Sequence, residues 1–338
     1  MPTLWFMILV GLLIGYAVLD GFDLGVGALH LWLARTDVER RILINAIGPL
    51  WDGNEVWLIA WGTALFLAFP RAFAIGFSGF YLPLMIVLWL LMGRGVAIEF
   101  RHHVVDPLWR GAWDVVFSIS SLLLAVLYGV AVGNVVTGVP LTDQGYFQGL
   151  FEWMLNPYAL LMGLFSLVIL LTHGALFLTL KTAGDLQERA RRGAAYLWPV
   201  VVALVLAVTL ATFTVRPLML RSFAVAPVLV IVPCLGAAFL AGVRRFGSRR
   251  ADGAAFLCSC GLIVALLAST ATGLYPYLLL SESHPERSLT VANAATSPAA
   301  LFVAAIWMIP GAILLAAYQV VVHRTFHGRV SLGEGTDY

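Results

Sequence analysis

The chain has 338 residues, 61% of them hydrophobic and only 11% charged, with mean hydropathy +0.93 and a formal net charge of +2. Such a composition excludes a water-soluble globule, and long apolar runs without strict alternation exclude a β-barrel. The basic residues sit in short clusters between the runs rather than on one face, which argues against nucleic acid as a partner. The partner they imply is the lipid bilayer, and the expected architecture is an all-α, polytopic membrane protein forming one domain over residues 1–338.

Nine apolar runs follow in order, at 4–33, 42–69, 73–93, 113–136, 155–180, 194–215, 223–243, 254–280 and 299–322. A hydrocarbon core of about 30 Å takes about 20 apolar residues to cross, so each run is read as one span. The first run begins beside Met1, has no positive leader and carries acids, so it reads as the first helix and not as a cleavable signal. With the N-terminus outside, the inner loops carry Arg35, Arg40, Arg41, Arg94, Arg101, Arg110, Lys181, Arg189, Arg191, Arg192, Arg244, Arg245, Arg249, Arg250, Arg324 and Arg329. The outer side holds only Arg71, Arg216, Arg221 and Arg287, so the positive-inside rule predicts N-out and C-in. No loop is large enough to be a soluble catalytic domain, and no internal repeat is apparent.

Carboxylates inside apolar runs need a reason, because a charge at the bilayer centre costs about 2.5–3.5 kcal/mol even on lenient scales. In the first run Asp20 and Asp23 share one side of the helix, one turn apart, amid Gly11, Gly15, Gly21, Gly25 and Gly27. Small residues at that spacing predict close packing on a neighbouring helix, and the two acids read equally well as helix-helix hydrogen-bond acceptors. In the second run Asn45, Gly48, Asp52 and Glu55 fall on one helical face, with a kink expected at Pro49. Asp23 and Asp52 lie at similar residue distances, about 11, from the Arg35–Arg41 loop, which predicts one polar cluster at similar depth. Glu99, near the inner surface after the third run, suits the mouth of a proton path; its plainer reading is a solvated acid paired with Arg101.

Of seven histidines only His173 lies deep in a run, so no facing pair for a bis-His haem is present in the sequence. His173 is kept as the fallback ligand should haem be found here. Cys234, Cys258 and Cys260 have no zinc or haem-attachment spacing and read as packing residues, so no metal site is expected. Trp57 follows the acidic face at mid-membrane depth, where packing is again the plainer reading.

The strings GYAVLDGFDLGVGAL, RTDVERRILINAIGPLWDGNEVWLI and FSGFYLPLMIVL, followed by GNVVTGVP, LNPYALLMG, TATGLYPY and LTVANAATSP, resemble subunit II of the bd-type quinol oxidases of prokaryotes. The resemblance implies nine helices arranged as two four-helix bundles plus one. It further implies a multi-pass place in a prokaryotic cytoplasmic membrane beside a subunit I that bears b- and d-type haems, with small single-span subunits in some complexes. The complex oxidises quinol and reduces O2 to water; this subunit is expected to be haem-free, and some members hold a structural quinone. By position the resemblance places Asp52 and Glu99 on a cytoplasmic proton path, joined here by Asp20, Asp23, Glu55 and Asn45 as a polar network, and Trp57 on an O2 route. Leu50, Glu55 and His173 depart from other members, which have His, Gln and Gln there. A proton-coupled secondary transporter using the same acids is the rival reading, opposed by an odd span number and no visible inverted repeat. An independent b-type cytochrome is opposed by the histidine inventory.

Overall fold

Helix α1 (Pro2–Leu33) opens with proline in its first turn, where the missing N–H costs no helical hydrogen bond. A short extended link leads to α2 (Asp37–Ile47), capped by Thr36, whose hydroxyl accepts the Glu39 N–H. The run expected at 42–69 is not one helix. Pro49 has no N–H to continue the ladder, Leu50 N–H bonds back to Ile47 at 2.7 Å, and α3 (Trp51–Ala68) starts afresh. The run at 73–93 is likewise divided, at Phe80, between α4 (Pro70–Gly79) and α5 (Tyr81–Phe100).

Three later helices, α6 (Pro107–Thr137), α7 (Pro157–Lys181) and the last long helix, share one opening: a capping side chain (Asp106, Asn156 or Ser297) followed at once by proline. Between them run α8 (Gly184–Val215), α9 (Leu218–Val225), α10 (Ile231–Ser248) and α11 (Asp252–Leu274). A 3-10 turn at Pro227–Val230 breaks the run expected at 223–243. The run expected to reach residue 280 stops at Leu274, because Tyr275 precedes a proline and takes extended backbone. Strand β1 (Tyr277–Leu279) then pairs antiparallel with β2 (Leu289–Thr290), and α12 (Pro298–Thr325) closes the chain.

This computed structural model describes residues 1–142, 146–149, 151–282 and 284–330, with Arg221 described in its backbone only; residues 331–338 of the expected single domain lie outside the described residues. Among the described residues, eight helices are long and apolar enough to cross a membrane: α1, α5, α6, α7, α8, α10 with its lead-in turn, α11 and α12. The chain is thus an all-α polytopic membrane protein. Helix α3 has 18 residues, but Asp52 and Glu55 dilute its hydropathy.

The long helices pack as two groups. In the first, α1 contacts α3 and α6, and α5 contacts α6; in the second, α7 contacts α8 and α11, and α10 contacts both α8 and α11. The groups meet where α1 and α6 lie along α7, and α12 packs on α3. At that seam a side-chain carbon on Gly25 or Gly174 would run into the other's backbone, so the two helices touch main chain to main chain, as the glycines of the first run predict. Comparison of the groups also corrects the absence of a repeat. The central helices end alike, GALHLWL at 27–33 and GALFLTL at 174–180, and each is followed by a helix opening in DVERR or DLQERARR.

Candidate functional site

The polar centre of the first group is organised by Arg94, a residue assigned above to an inner loop. It lies inside α5 with no exposed surface. A buried guanidinium is tolerable only with anionic partners, and Arg94 Nη2 donates to Asp20 Oδ1 at 2.7 Å and to the Glu55 carboxylate. Three helices, α1, α3 and α5, are tied at this point. One turn along α1, Asp23 accepts from Asn54 Nδ2 at 2.7 Å, and the same amide reaches the Leu19 carbonyl at 3.3 Å. On the other side of Asp20, the Tyr16 hydroxyl donates to that of Tyr128 at 2.7 Å, with the rings edge to face at 5.6 Å.

The expected meeting of Asp23 with Asp52 is not made. Asp52 is exposed on this chain, and Asn54 and Glu55 reach α1 in its place. The reason is helical phase: at about 100° per residue, a helix that buries Gly53 and Asn54 turns Asp52 outward and leaves Glu55 at the margin. Residue count from the loop speaks to depth and says nothing of the phase. Asn45 lies on α2, before the break at Gly48–Leu50, so it does not share one continuous face with Asp52 and Glu55. Glu99 is exposed at the end of α5, and its expected partner Arg101 is engaged elsewhere.

That engagement forms a second cluster, which sequence reasoning missed. Asp114, buried near the start of α6, accepts His30 Nε2 at 2.7 Å and Arg101 Nε at 2.6 Å on one oxygen. Its other oxygen accepts Arg40 Nη1 at 3.0 Å and Arg101 Nη2 at 3.2 Å. Asp37 then bridges Arg101 and Arg110 at 2.7 and 3.1 Å. Burial works against the Arg101 charge, but its bonds to Asp114 and Asp37 outweigh that and push its pKa further up.

His173, the fallback haem ligand, is fully buried in the second group, stacked on Phe256. Its Nε2 donates to the Val18 carbonyl at 3.0 Å and its Nδ1 shares a 2.7 Å bond with Ser259, so neither ring nitrogen is turned toward a ligand. Among the described residues, no group of three or more His, Cys, Asp or Glu is placed to hold a metal ion. Trp57 packs its ring on Gly15 of α1, against the cluster of Trp5, Leu9 and Leu12. Arg94 had a legible signal: two buried acids on α1 require a cation, and the apolar pattern of the third run continues past GRG to Ile98.

Set beside known proteins, the chain matches the family described as cytochrome bd terminal oxidase subunit II over residues 1–326. It is 36% identical to cytochrome bd ubiquinol oxidase subunit 2 of Bacillus subtilis (strain 168), covering 99% of this chain and 98% of that protein. It is 34% identical to cytochrome bd-I ubiquinol oxidase subunit 2 of Escherichia coli (strain K12), with 93% and 92% covered. The fold also resembles a chain in the structure of bd oxidase from Geobacillus thermodenitrificans, with TM-score 0.78 at 19% identity, covering 96% of this chain and 98% of that one. The dense polar first group, the glycine-lined seam and the full-length match carry one conclusion: this multi-pass bacterial cytoplasmic-membrane chain belongs to the cytochrome bd terminal oxidase subunit II family.

Proposed function

We propose that this chain is the haem-free subunit of an oxidase that oxidises quinol and reduces O2 to water, bracing a subunit I that carries the b- and d-type haems and delivering cytoplasmic protons to it. The supporting observation is the outward face of α3. Asp52, Val56, Ile59, Thr63 and Phe66, at spacings of four, three, four and three, are all exposed on the isolated chain. A carboxylate heading an apolar stripe is costly against lipid, so this face is one to be covered by protein. Glu99 at the inner end of α5, Asp52 on the face and Glu55 at its margin form a graded series of acids leading inward. Asp20, Asp23 and Asn45 are the polar ground behind them.

Nine spans with N-out and C-in complete the reading, α3 being the ninth. A carboxylate-bearing helix covered by a partner and by α12, whose Gln319 donates to the Gly53 carbonyl at 2.8 Å, does not need the hydropathy of a lipid-facing one. The apolar wall around Trp57 and Gly15 serves as the O2 route. Small single-span subunits and a structural quinone belong to the same reading. A transporter is disfavoured by the family match and by the ion pair that fixes Asp20 to Arg94.

The deciding variant is Asp52→Asn in the assembled oxidase. Because the side chain is exposed on this subunit, the stability of the chain should change by less than about 0.5 kcal/mol. Quinol-driven O2 consumption should fall about tenfold, the effect of roughly 1.4 kcal/mol on a barrier, with haem spectrum and yield unchanged. Full turnover, or loss of the complex with no slow enzyme recovered, would refute the proton role. Labelling of Arg71→Cys and Arg216→Cys from outside, and of His103→Cys and Arg249→Cys from inside, tests the nine-span topology.

A further inference from the structure

Among the buried polar atoms without a protein partner in the first group, those of five side chains fall on one line. Asp20 Oδ2, Asp23 Oδ1 and His30 Nδ1 lie on α1, and Asn54 Oδ1 and Arg94 Nε and Nη1 belong to the two side chains that bond Asp23 and Asp20. All five residues have no exposed surface. Tyr16, Asp20, Asp23 and His30 share one face of α1, at spacings of four, three and seven residues. Facing them across the α1–α6 seam, Asp114, Ser118, Ser121 and Tyr128 share one face of α6, at spacings of four, three and seven. The rungs are His30 on Asp114 at the cytoplasmic end and Tyr16 on Tyr128 at the far end. Between them Ser118 Oγ approaches the Ala28 carbonyl at 3.5 Å, and Gly27, lacking a side chain, lets Ser121 lie directly against α1.

Orphaned buried donors and acceptors cost too much to be left dry. These include acceptors and donors side by side, and a ligand that serves both kinds at sites closed to solvent must be as small as water. We infer that a file of bound waters runs along this seam from His30 to Asp20 and carries protons inward from the cytoplasmic cluster, separately from the Asp52 face. The dimensions fit. Asp23 and His30 are seven residues apart, about 10.5 Å along the helix, a gap that two or three waters at about 2.8 Å steps would bridge together with the Ser121 hydroxyl, which donates to the Phe117 carbonyl at 2.8 Å and turns from it to relay. His30 is the uptake group: Nε2–H stays on Asp114, while Nδ1 takes a proton from a water on the cytoplasmic side and gives it to the next water of the file, the imidazolium in between being held by Asp114. The inference deepens the proton-supply reading and rests on it for its consequence.

The test uses the assembled oxidase. High-resolution cryo-electron microscopy should show water density within hydrogen-bond reach of His30 Nδ1, Asp23 Oδ1 and Asp20 Oδ2; a dry seam in a map that resolves other internal waters overturns the inference. His30→Gln keeps a donor for Asp114 but cannot relay a proton, and Ser121→Ala removes the central hydroxyl without adding bulk. Each should slow quinol-driven O2 reduction by about tenfold, the rate effect of roughly 1.4 kcal/mol, with haem spectrum unchanged and a larger solvent deuterium effect. Normal turnover in either assembled variant, while Asp52→Asn is slow, overturns this inference and leaves the proposed function standing. The reverse pattern supports the seam and removes Asp52.

Discussion

The two buried ion clusters, one around Arg94 and one around Asp114, use the same chemistry and are finished differently. Both oxygens of Asp114 are engaged, by His30, Arg40 and Arg101, and Arg40 and Arg110 are part-exposed at its edge. Arg94 has no exposed surface and bonds through one nitrogen only, leaving Asp20, Asp23 and Asn54 each with an atom to spare. Around Asp114 the carboxylate is saturated and the spare atoms belong to His30 and the arginines, which suits a cluster that fixes helix ends; around Arg94 the carboxylates themselves keep free oxygens, a capacity for water and protons. The difference lies in which carboxylate oxygens are engaged, and substitutions separate the two clusters.

The largest effect is expected from Arg94→Met. It leaves Asp20 and the margin acid Glu55 without their cation at the junction of α1, α3 and α5, and removing one partner of a buried pair costs about 3–5 kcal/mol. The measurement is the yield of assembled, haem-containing complex from membranes, which should collapse. Arg94→Met combined with Asp20→Asn should recover part of it, because the uncompensated charge is then gone. Equal loss in single and double variants would mean that packing, not charge, dominates at this position.

Asp114→Asn is expected to be milder. The amide keeps one acceptor oxygen, so His30 or Arg101 retains a bond, and losing charge-assisted bonds of this kind costs about 1.5–3 kcal/mol. Arg40 and Arg110 lie close enough to water to be rehydrated. The variant should assemble, with lower thermal stability and faster proteolysis of the α1–α2 and α5–α6 links. If it fails as completely as Arg94→Met, the contrast between edge and interior is wrong.

The same contrast marks what the sequence made legible. Run order, helix content and the crowding of glycines on α1 follow from hydropathy and side-chain size; the packing of Gly25 on Gly174 bears out the glycines, while the runs at 42–69, 73–93 and 223–243 are each broken. Asp20 and Asp23 stood out because acids in apolar runs are rare. Their partners did not, because a charge rule that counts arginines by loop places Arg94 and Arg101 outside the membrane, whereas electroneutrality of the interior draws Arg94 in. Asp114 sits so near the end of its run that no pattern set it apart from a surface acid. The outward turn of Asp52 depends on the phase at which α3 restarts after Pro49, which tertiary packing decides.

The smallest expected effect belongs to Glu39, which repeats the ion chemistry at a half-exposed position outside the spans. Burial tends to raise the pKa of its carboxyl, but the Arg35 N–H at 2.6 Å, the Arg189 guanidinium at 2.5 Å and the Thr36 contact outweigh it and hold the group below the usual range. The folded chain therefore holds its proton less tightly than the unfolded one. The resulting stability is fully present above the ordinary glutamate value of about 4.3 and is lost as pH falls through the lower folded value. Glu39→Gln should cost no more than about 1 kcal/mol at neutral pH, since pairs this near solvent are screened. The gap in thermal midpoint between parent and variant should narrow as pH falls below the ordinary glutamate value of about 4.3 and close once pH passes the lower folded value, where the parent carboxyl is protonated as well. A gap that persisted there would show that Glu39 acts through shape at the α1–α2 link. A gap as large as that of Asp114→Asn would show that burial is not what separates the clusters.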